Sequence, residues 1–313
     1  MNRYLIILLI ALVGSLYAHP GIGLVKDSKG NLFYTDLSKI LKVSTDGKQT
    51  VVVPNVHSHE IFMDKDDNLY GVHLWYTGEA SNKWMFYYWT RRKDGTIVKL
   101  QNDTEGFEQS FSFVRDALGN HYLNRKWKDG YEFYRIKPDS TIEILGQGKF
   151  DDIRWMFCTE GGTLYFIDLD KIYQLKNGQF RLIALNLIDK TVPFSWMDKR
   201  HSLYGLWADD AENIYVCVYS GQKIKKIAQD GIVSTIYQSK LNWSPTNGLF
   251  DKQGNLWVME TSLTNNVRLQ KVEKSKIRKS EMPLIHIVFY LVVSILVLGF
   301  FIVRVRFKQS KHM

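Results

Sequence analysis

Three histidines close together in the sequence are the residues of this chain best suited to bind a metal. His57, His59 and His73 lie in the segments VHSHE and GVHLW, on either side of a turn centred on Asp66. In an antiparallel hairpin around that turn, paired residue numbers sum to about 132, which sets His59 opposite His73 and His57 on the same face. Three imidazoles on one face, with Glu60 adjacent, form a ligand set that zinc or another transition metal accepts.

The same histidines have two other interpretations. Histidine pairs are often exposed or hydrogen-bonded structural residues, and the chain has neither HExxH nor CxxC spacing to support a metal. Clustered histidines can also sense pH, because the imidazole pKa lies near neutrality. A divalent transition metal such as zinc is therefore a hypothesis for this chain, and the sequence identifies no other cofactor.

A phrase that recurs six times organises the chain around these histidines. It consists of an apolar stretch, an acidic residue, two variable residues, Gly-Asn or a similar pair, then Leu or Ile with an aromatic residue. Six copies about 45 residues apart indicate radial repetition. The copies centre on Asn31, Asn68, Asn120, Thr163, Asn213 and Asn255.

Each copy predicts one β-hairpin, and a second hairpin follows in most copies. The turns are rich in Asp, Gly and Asn, and the flanking runs are β-branched and aromatic. Two hairpins make a four-stranded sheet, so the sequence predicts an all-β fold, a six-bladed β-propeller over residues 19–280. We interpret the aromatic run from Trp84 to Trp89 as core between blades, with a ligand platform as the alternative.

Ring closure and the central channel follow from this arrangement. Residues near Val267 to Lys279 are expected to close the ring, because almost nothing would precede the first repeat once a signal peptide is cleaved after residue 18. Loops that enter the innermost strands meet at one mouth of the channel, where charges of both signs can orient a small polar ligand. The alternative is that these polar and charged residues line the channel only because it is filled with water. The predicted ligand-binding residues at the mouth are Glu60, Gln109, Asp152, Arg154, Tyr204 and Asn247.

Both ends of the chain have the composition of membrane-targeting segments. Residues 1–18 form a short basic start, an apolar run and small residues, the layout of a signal peptide; an uncleaved anchor is the alternative. Residues 281–303 predict a transmembrane helix, whose segment 284–303 lacks Asp, Glu, Lys and Arg and is long enough to cross a lipid bilayer. Residues 304–313 predict a short basic cytoplasmic tail. We therefore expect a single-pass membrane protein with its propeller in the periplasm or outside the cell.

Charge and cysteine content restrict the function further. The net charge is +9, from 41 Lys and Arg against 32 Asp and Glu. Five of the cations lie in the terminal segments, which leaves 36 cations against 32 anions in the rest of the chain. This excess of positive charge is too small to indicate nucleic-acid binding. The juxtamembrane cations from Lys271 to Lys279 are expected to lie against anionic headgroups. Cys158 and Cys217 lie in apolar strand patterns, which favours buried free thiols over a disulfide.

The repeats resemble two groups of known propellers. The phrase D-x-x-G-N-L/I-Y is similar to NHL-type repeats, and NLFYTDLSKILKV resembles a blade of YWTD-type receptors. The last two blades, GLWADDAENIYVCVYSGQKIKKIAQDG and SPTNGLFDKQGNLWVMET, resemble gluconolactonase-like propellers of the senescence marker protein family. That resemblance implies the propeller fold and a divalent cation held by Glu, Asn and Asp at the mouth. The corresponding positions here carry Gly21 or Ile22, Ile153 or Arg154, and Leu203 or Tyr204, which lack those ligands.

Two functions of different classes remain open. The first is a membrane-anchored module that binds a small polar molecule, a glycan or a protein at the channel mouth. The second is a metal-dependent hydrolase, lactonase-like, with a relocated site at the three histidines. The sequence contains no nucleophile elbow, no phosphate loop and no pair of carboxylates at a spacing typical of catalysis, so no catalytic residue is predicted.

Overall fold

The computed structural model describes residues 20–106, 114–116, 118–189 and 197–277. These residues form six antiparallel sheets in chain order, with two short 3-10 helices at Lys199–His201 and Lys274–Lys276. The fold is the predicted all-β six-bladed propeller. In this part of the chain no helix is long and apolar enough to cross a membrane. The predicted signal peptide, transmembrane helix and tail lie outside the described residues.

Blades 1 to 3 lie in the first half of the described chain. Blade 1 contains β1 Leu24–Lys26, β2 Leu32–Thr35, β3 Lys39–Val43 and β4 Gln49–Pro54. Blade 2 contains β5 Ile61–Met63, β6 Leu69–Tyr76, β7 Trp84–Arg91 and β8 Ile97–Lys99, and β9 Thr104–Glu105 also pairs with β7. Blade 3 contains β10 His121–Trp127, β11 Gly130–Ile136 and β12 Ile142–Gly148, with one bridge between Arg115 and His121 at its inner edge.

Blades 4 to 6 complete the ring. Blade 4 contains β13 Ile153–Cys158, β14 Leu164–Asp168, β15 Lys171–Lys176 and β16 Gln179–Ala184. Blade 5 contains β17 Leu203–Ala208, β18 Ile214–Val218, β19 Lys223–Ile227 and β20 Val233–Gln238. Blade 6 contains β21 Trp243–Phe250, β22 Leu256–Ser262 and β23 Val267–Val272. The first strand of each complete blade is the innermost one, so the channel mouth is built from the loops that enter these strands.

The recurring phrase is a hydrogen-bonded turn that we call the Asp–Asn clamp. In blade 5 the Asp209 carboxylate accepts hydrogen bonds from the backbone and side-chain amides of Asn213, at 2.9 and 2.8 Å, and from the Tyr215 hydroxyl at 2.7 Å. The clamp therefore joins the turn to the strand that follows it. The same carboxylate-to-Asn bonds occur in the pairs Asp27–Asn31, Asp64–Asn68, Asp116–Asn120 and Asp251–Asn255.

Blade 4 lacks the clamp, because Thr159 and Thr163 stand where the other blades have Asp and Asn. A single bond from the Thr163 amide to the Thr159 hydroxyl, at 3.1 Å, replaces the carboxylate bonds. The side of the ring that carries the clamps is called the turn face below, and the opposite side is the mouth face.

Apolar side chains between neighbouring blades form the core. One buried cluster joins blade 1 to blade 6: Leu24 and Leu41 share it with Met259, and Val267 and Leu269 pack against it. The ring is thus closed by packing of residues from the expected 267–279 segment, of which 278 and 279 lie outside the described residues. Both cysteines are free and buried, as expected from their apolar surroundings.

Candidate functional site at the mouth of blade 2

The middle hairpin of blade 2 is longer than those of blades 4 and 5. Strands β6 and β7 have eight residues each, whereas β14 and β18 have five. Pairing between β5 and β6 starts at Ile61 opposite Gly71, which confirms the register predicted from the sequence. The part of β6 beyond Val72 therefore extends past the innermost strand on the mouth face. His73 and Trp75 lie on this extension.

The segment from His57 to His59 runs along this extension as a loop, rather than as the strand predicted from the sequence. Its backbone is bonded on both sides: Leu74 donates to the His57 carbonyl at 3.0 Å, and Ile22 donates to the His59 carbonyl at 2.8 Å. The His57 amide donates to Nδ1 of His73 at 2.8 Å. Blade 1 and β6 together fix where the two loop histidines point.

Ser58, fully buried between these histidines, fastens the loop to the core. Its hydroxyl donates to the Val72 carbonyl at 2.6 Å and accepts from the indole N–H of Trp89 at 3.2 Å, while the Thr35 hydroxyl donates to its carbonyl at 2.7 Å. The Trp89 ring lies over Gly71, where a Cβ atom would be 2.1 Å from the ring. Glycine is therefore required at position 71 for Trp89 to reach Ser58.

Hydrogen bonds define the protonation of the imidazoles. Nδ1 of His57 lies 2.7 Å from the Leu37 carbonyl, so it must carry the proton and donate. Nε2 of His57 lies 3.0 Å from Nε2 of His59, so one of these two atoms donates and the other accepts without a proton. His73 accepts at Nδ1 and therefore carries its proton at Nε2. His73 is therefore neutral in this arrangement.

The electrostatic surroundings of His73 favour the same neutral form. Burial lowers the pKa of His73, and the neighbouring His57 lowers it further; Asp103 opposes this effect and Lys99 adds to it. The carbonyl that orients His57 belongs to Leu37, whose φ of 68° is uncommon for a leucine. The turn between the second and third strands also contains a positive φ at Leu169 in blade 4 and at Gln222 in blade 5, so this conformation belongs to the turn.

An aromatic face lies beside the histidines on the extended hairpin. The rings of His73 and Trp75 stack with centroids 5.0 Å apart and planes 24° apart, and Tyr87 lies 5.1 Å from His73. The ammonium group of Lys99 lies 4.3 Å above the Tyr87 ring and is paired with Asp103 at 2.6 Å. We call His73, Trp75 and Tyr87 the aromatic face; all three are half-buried.

This arrangement confirms only in part the interpretation of the run Trp84 to Trp89 as core between blades: Trp89 belongs to the buried cluster between blades 1 and 2, and Tyr87 packs against it. Only Trp89 is buried, with 1% of its surface exposed, whereas Trp84 is 39% exposed and the four residues between them are half-buried. The physical reason is the length of the hairpin, because β8 pairs only with the end of β7 from Trp89 to Arg91. Sequence reasoning missed Trp75 and Lys99 as site residues and included Tyr87 only in the alternative of a ligand platform, although the alternation of His73 and Trp75 placed two rings on one strand face.

The three histidines come together, but as hydrogen-bond partners of one another. The described ranges contain no group of three or more His, Cys, Asp or Glu side chains that could hold a metal. In this geometry Nδ1 of His73 is occupied by the His57 amide, and the Nε2 atoms of His57 and His59 face each other. Zinc binding at these residues stays a prediction, and it requires the imidazole bonds to rearrange.

The predicted mouth residues of blades 4 to 6 are mostly engaged in contacts within the fold. Asp152 pairs with Arg154 at 2.6 Å. Asn247 donates to the Ile22 carbonyl at 2.6 Å and so connects blade 6 to blade 1. Tyr204 is only 5% exposed, and its hydroxyl lies 3.5 Å from Nδ1 of His201.

The remaining mouth predictions concern Glu60 and Gln109. Glu60 is half-buried and follows the histidine loop directly, whereas Gln109 lies outside the described residues. The gluconolactonase-like cation does not fit this chain: the Asn247 amide is bonded at the Ile22 backbone, and Arg154, a cation, is paired with Asp152. We therefore derive no chemistry through that cation.

Comparison with known proteins identifies the fold and not the family. No protein-family model and no curated protein matches the sequence. Among solved structures, a streptogramin B lyase is 14% identical, with a TM-score of 0.51 over 81% of this chain and 94% of that chain. A gluconolactonase-like protein is 13% identical, with a TM-score of 0.51 over 80% and 90%.

A third similar structure is an auxiliary nutrient binding protein from Bacteroides thetaiotaomicron. It is 12% identical, with a TM-score of 0.54 over 82% of this chain and 70% of that chain. The three neighbours include enzymes and a binding protein, so this fold alone does not decide the function. The chain is a six-bladed propeller with structural neighbours in the gluconolactonase-like and streptogramin B lyase groups.

Proposed function

We propose that this protein is an exported, membrane-anchored propeller that binds a glycan on the aromatic face of blade 2. The observation that carries the proposal is the cluster of half-buried His73, Trp75 and Tyr87 rings beside hydrogen-bonded histidines; His73 stacks on Trp75, and Tyr87 is tilted against His73. The proposed anchor is the apolar segment 284–303, and the proposed location of the propeller follows from the signal-peptide layout of residues 1–18.

A sugar ring matches this surface in both of its chemical properties. One face of a pyranose carries mainly C–H groups, which pack on flat aromatic rings, while its hydroxyls need donors and acceptors around the edge. Trp75 and Tyr87 supply the rings. His59 and the Lys99–Asp103 pair supply polar groups next to them. Binding sites commonly combine an apolar floor with a few fixed polar groups in this way.

Neutral sugars fit the charge at the site better than ionic ligands do. His73 is uncharged in its hydrogen-bonded arrangement, and the Lys99 ammonium is paired with Asp103. An anionic or cationic ligand would have to disrupt that pair. Some of the structural neighbours carry names of binding proteins, including a nutrient-binding one, which is consistent with a binding role on this fold.

A glycan-array experiment with matched tryptophan variants tests the proposal. The full chain in detergent is applied to an array of neutral and acidic glycans, together with Trp75→Ala and Trp127→Ala. Trp127 is a 40% exposed tryptophan of blade 3 outside the site, so its loss should leave binding unchanged. Loss of a ring stacked on the ligand should weaken binding about 10- to 100-fold, as for buried aromatic anchors in other interfaces. Equal binding by both variants would refute the site, and selective binding of a protein would favour a protein partner.

The alternative is the metal-dependent hydrolase predicted from the sequence. The observation that favours it is the close approach of two imidazole Nε2 atoms, His57 and His59, at 3.0 Å. Metal analysis of the purified full chain separates the two functions. Stoichiometric zinc that is lost in a His59→Gln, His73→Gln double variant would support the hydrolase, while metal-free folded protein that binds glycan supports the binding module.

A further inference from the structure

A small cationic pocket lies on the turn face, on the side of the ring opposite the aromatic face. It has a volume of about 100 Å³ and lies between blades 1 and 2. Ser28 connects the two blades next to it, donating from its amide and its hydroxyl to the carboxylate of Asp67, both at 2.7 Å. The lining residues are Asp27, Lys29, Asn31, Phe33, Lys42, Asp67, Arg91 and Lys93.

Cations outnumber carboxylates in this pocket, and the carboxylates are already used. The Asp27 carboxylate accepts hydrogen bonds from the backbone and side-chain amides of Asn31. Asp67 is bonded to Ser28 and to Lys93, and these contacts lower the pKa of Asp67 to about 2. Within the described residues Lys29, Lys42 and Arg91 form no salt bridge. Three positive side chains thus border one cavity without a salt bridge, and Lys42 and Arg91 interact electrostatically with Asp46 and Asp94 beside it. Such a cluster of cations suits a phosphate group.

The described chain also ends on this face. After β23 the amide of Lys274 donates to the Asn255 side chain at 3.1 Å, which holds the last residues beside the blade 6 clamp. Lys252 donates to the Ser28 carbonyl at 3.3 Å, so the turns of blades 6 and 1 are connected. The cationic pocket and the exit of the chain at Ile277 therefore share the turn face.

We propose that the Lys29–Lys42–Arg91 pocket binds the phosphate of an anionic phospholipid headgroup. The occupant is inferred from charge complementarity and from the chain leaving the propeller on this same face, with six residues between Ile277 and the predicted membrane segment 284–303. The inference rests on the proposed membrane anchoring and not on glycan binding. It leaves the aromatic face, on the opposite side of the ring, available to a ligand.

Titration of the detergent-solubilised full chain with short-chain phospholipids tests this inference. The probes are dihexanoyl-phosphatidylglycerol, dihexanoyl-phosphatidylcholine and glycerol 3-phosphate. Wild type should bind phosphatidylglycerol in preference to phosphatidylcholine. A Lys29→Gln, Lys42→Gln, Arg91→Gln variant should bind it about 100-fold more weakly, since one cation near an anionic lipid contributes about fivefold.

A variant with the same charge loss elsewhere provides the control. Lys126→Gln, Lys128→Gln, Lys149→Gln removes three exposed cations of blade 3 and its following loop, and it should retain wild-type affinity for phosphatidylglycerol. Equal weakening in both variants would show a nonspecific charge effect and overturn the pocket. Binding of glycerol 3-phosphate as tight as that of the lipid would assign the pocket to a soluble phosphate ester instead.

The outcome is independent of the glycan proposal. Trp75→Ala should keep phosphatidylglycerol binding, and the triple pocket variant should keep glycan binding. Loss of lipid binding by Trp75→Ala would contradict two separate sites, and failure on the glycan array leaves the lipid result standing.

Discussion

The two faces of the propeller are built on different principles. On the turn face the same Asp–Asn clamp recurs in blades 1, 2, 3, 5 and 6, with the same carboxylate-to-amide bonds. On the mouth face the loops differ from blade to blade, and the histidine loop with its extended hairpin belongs to blade 2. The clamp, which is repeated around the ring, stabilises each blade that contains it. The histidine loop belongs to one blade and indicates where a ligand is recognised.

Removal of one clamp should give the largest loss of stability. Asp209→Ala leaves the buried Tyr215 hydroxyl and two donors of Asn213 without their acceptor. Unsatisfied buried groups of this kind cost about 2 to 4 kcal/mol in total. Urea unfolding of the detergent-solubilised chain, followed by tryptophan fluorescence, measures the difference.

The matched control uses the blade without a clamp. Thr159→Ala removes one hydrogen bond to Thr163 and should cost about 1 kcal/mol. If the two substitutions cost the same, the clamp is not what distinguishes the turn face, and the comparison between the faces fails.

A smaller loss is expected from filling the space under Trp89. Gly71→Ala places a methyl group 2.1 Å from the ring, so Trp89 must move and its bond to Ser58 is broken. Overpacking of a core position costs about 1 to 3 kcal/mol. Because Ser58 holds the two loop histidines, this variant should also weaken binding at the mouth.

Gly161→Ala is the control, because the nearest atom to its added Cβ would be 4.0 Å away. It should leave both stability and binding close to wild type in the same urea and glycan experiments. A loss of stability in Gly71→Ala with unchanged glycan binding would show that Trp89 does not position the histidine loop.

The smallest effect is a pH dependence of stability from His73. The pKa of His73 is lowered from 6.5 in the folded chain. As the pH falls below 6.5, the unfolded chain therefore binds a proton at His73 before the folded chain does. The free energy of unfolding is therefore expected to be fully retained above pH 6.5 and to fall as the pH drops towards the lowered pKa. A His73→Gln variant should show a flatter profile over this window in urea unfolding, and an identical slope would contradict the assignment.

The sequence predicted the turn face more completely than the mouth. Repeats centred on positions such as Asn31 and Asn213 are short and local, because each Asp and Asn are four residues apart and bond within one turn. Six blades and the register of Ile61 opposite Gly71 followed from this spacing. The free, buried state of Cys158 and Cys217 followed from the apolar strands around them.

The mouth depends on contacts between segments far apart in the chain, which spacing does not encode. His57 is oriented by the Leu37 carbonyl of blade 1, and Asn247 is bonded to Ile22 some two hundred residues away in the chain. The hairpin pattern predicted His59 on a strand, yet β5 begins only at Ile61, because the backbone from 57 to 59 bonds to blade 1 and β6. Exposure of the aromatic run likewise depended on how far β7 extends past β8.

Hydrogen–deuterium exchange with the best glycan of the array tests the central claim most directly. The full chain is labelled with and without a saturating amount of the sugar, and protection is mapped by peptide. We predict protection confined to peptides that contain residues 57–59, 73–76, 87 and 99–103, with peptides from the mouths of blades 4 to 6, such as 152–154 and 203–206, unchanged. Protection at those other mouths, with none in blade 2, would contradict it.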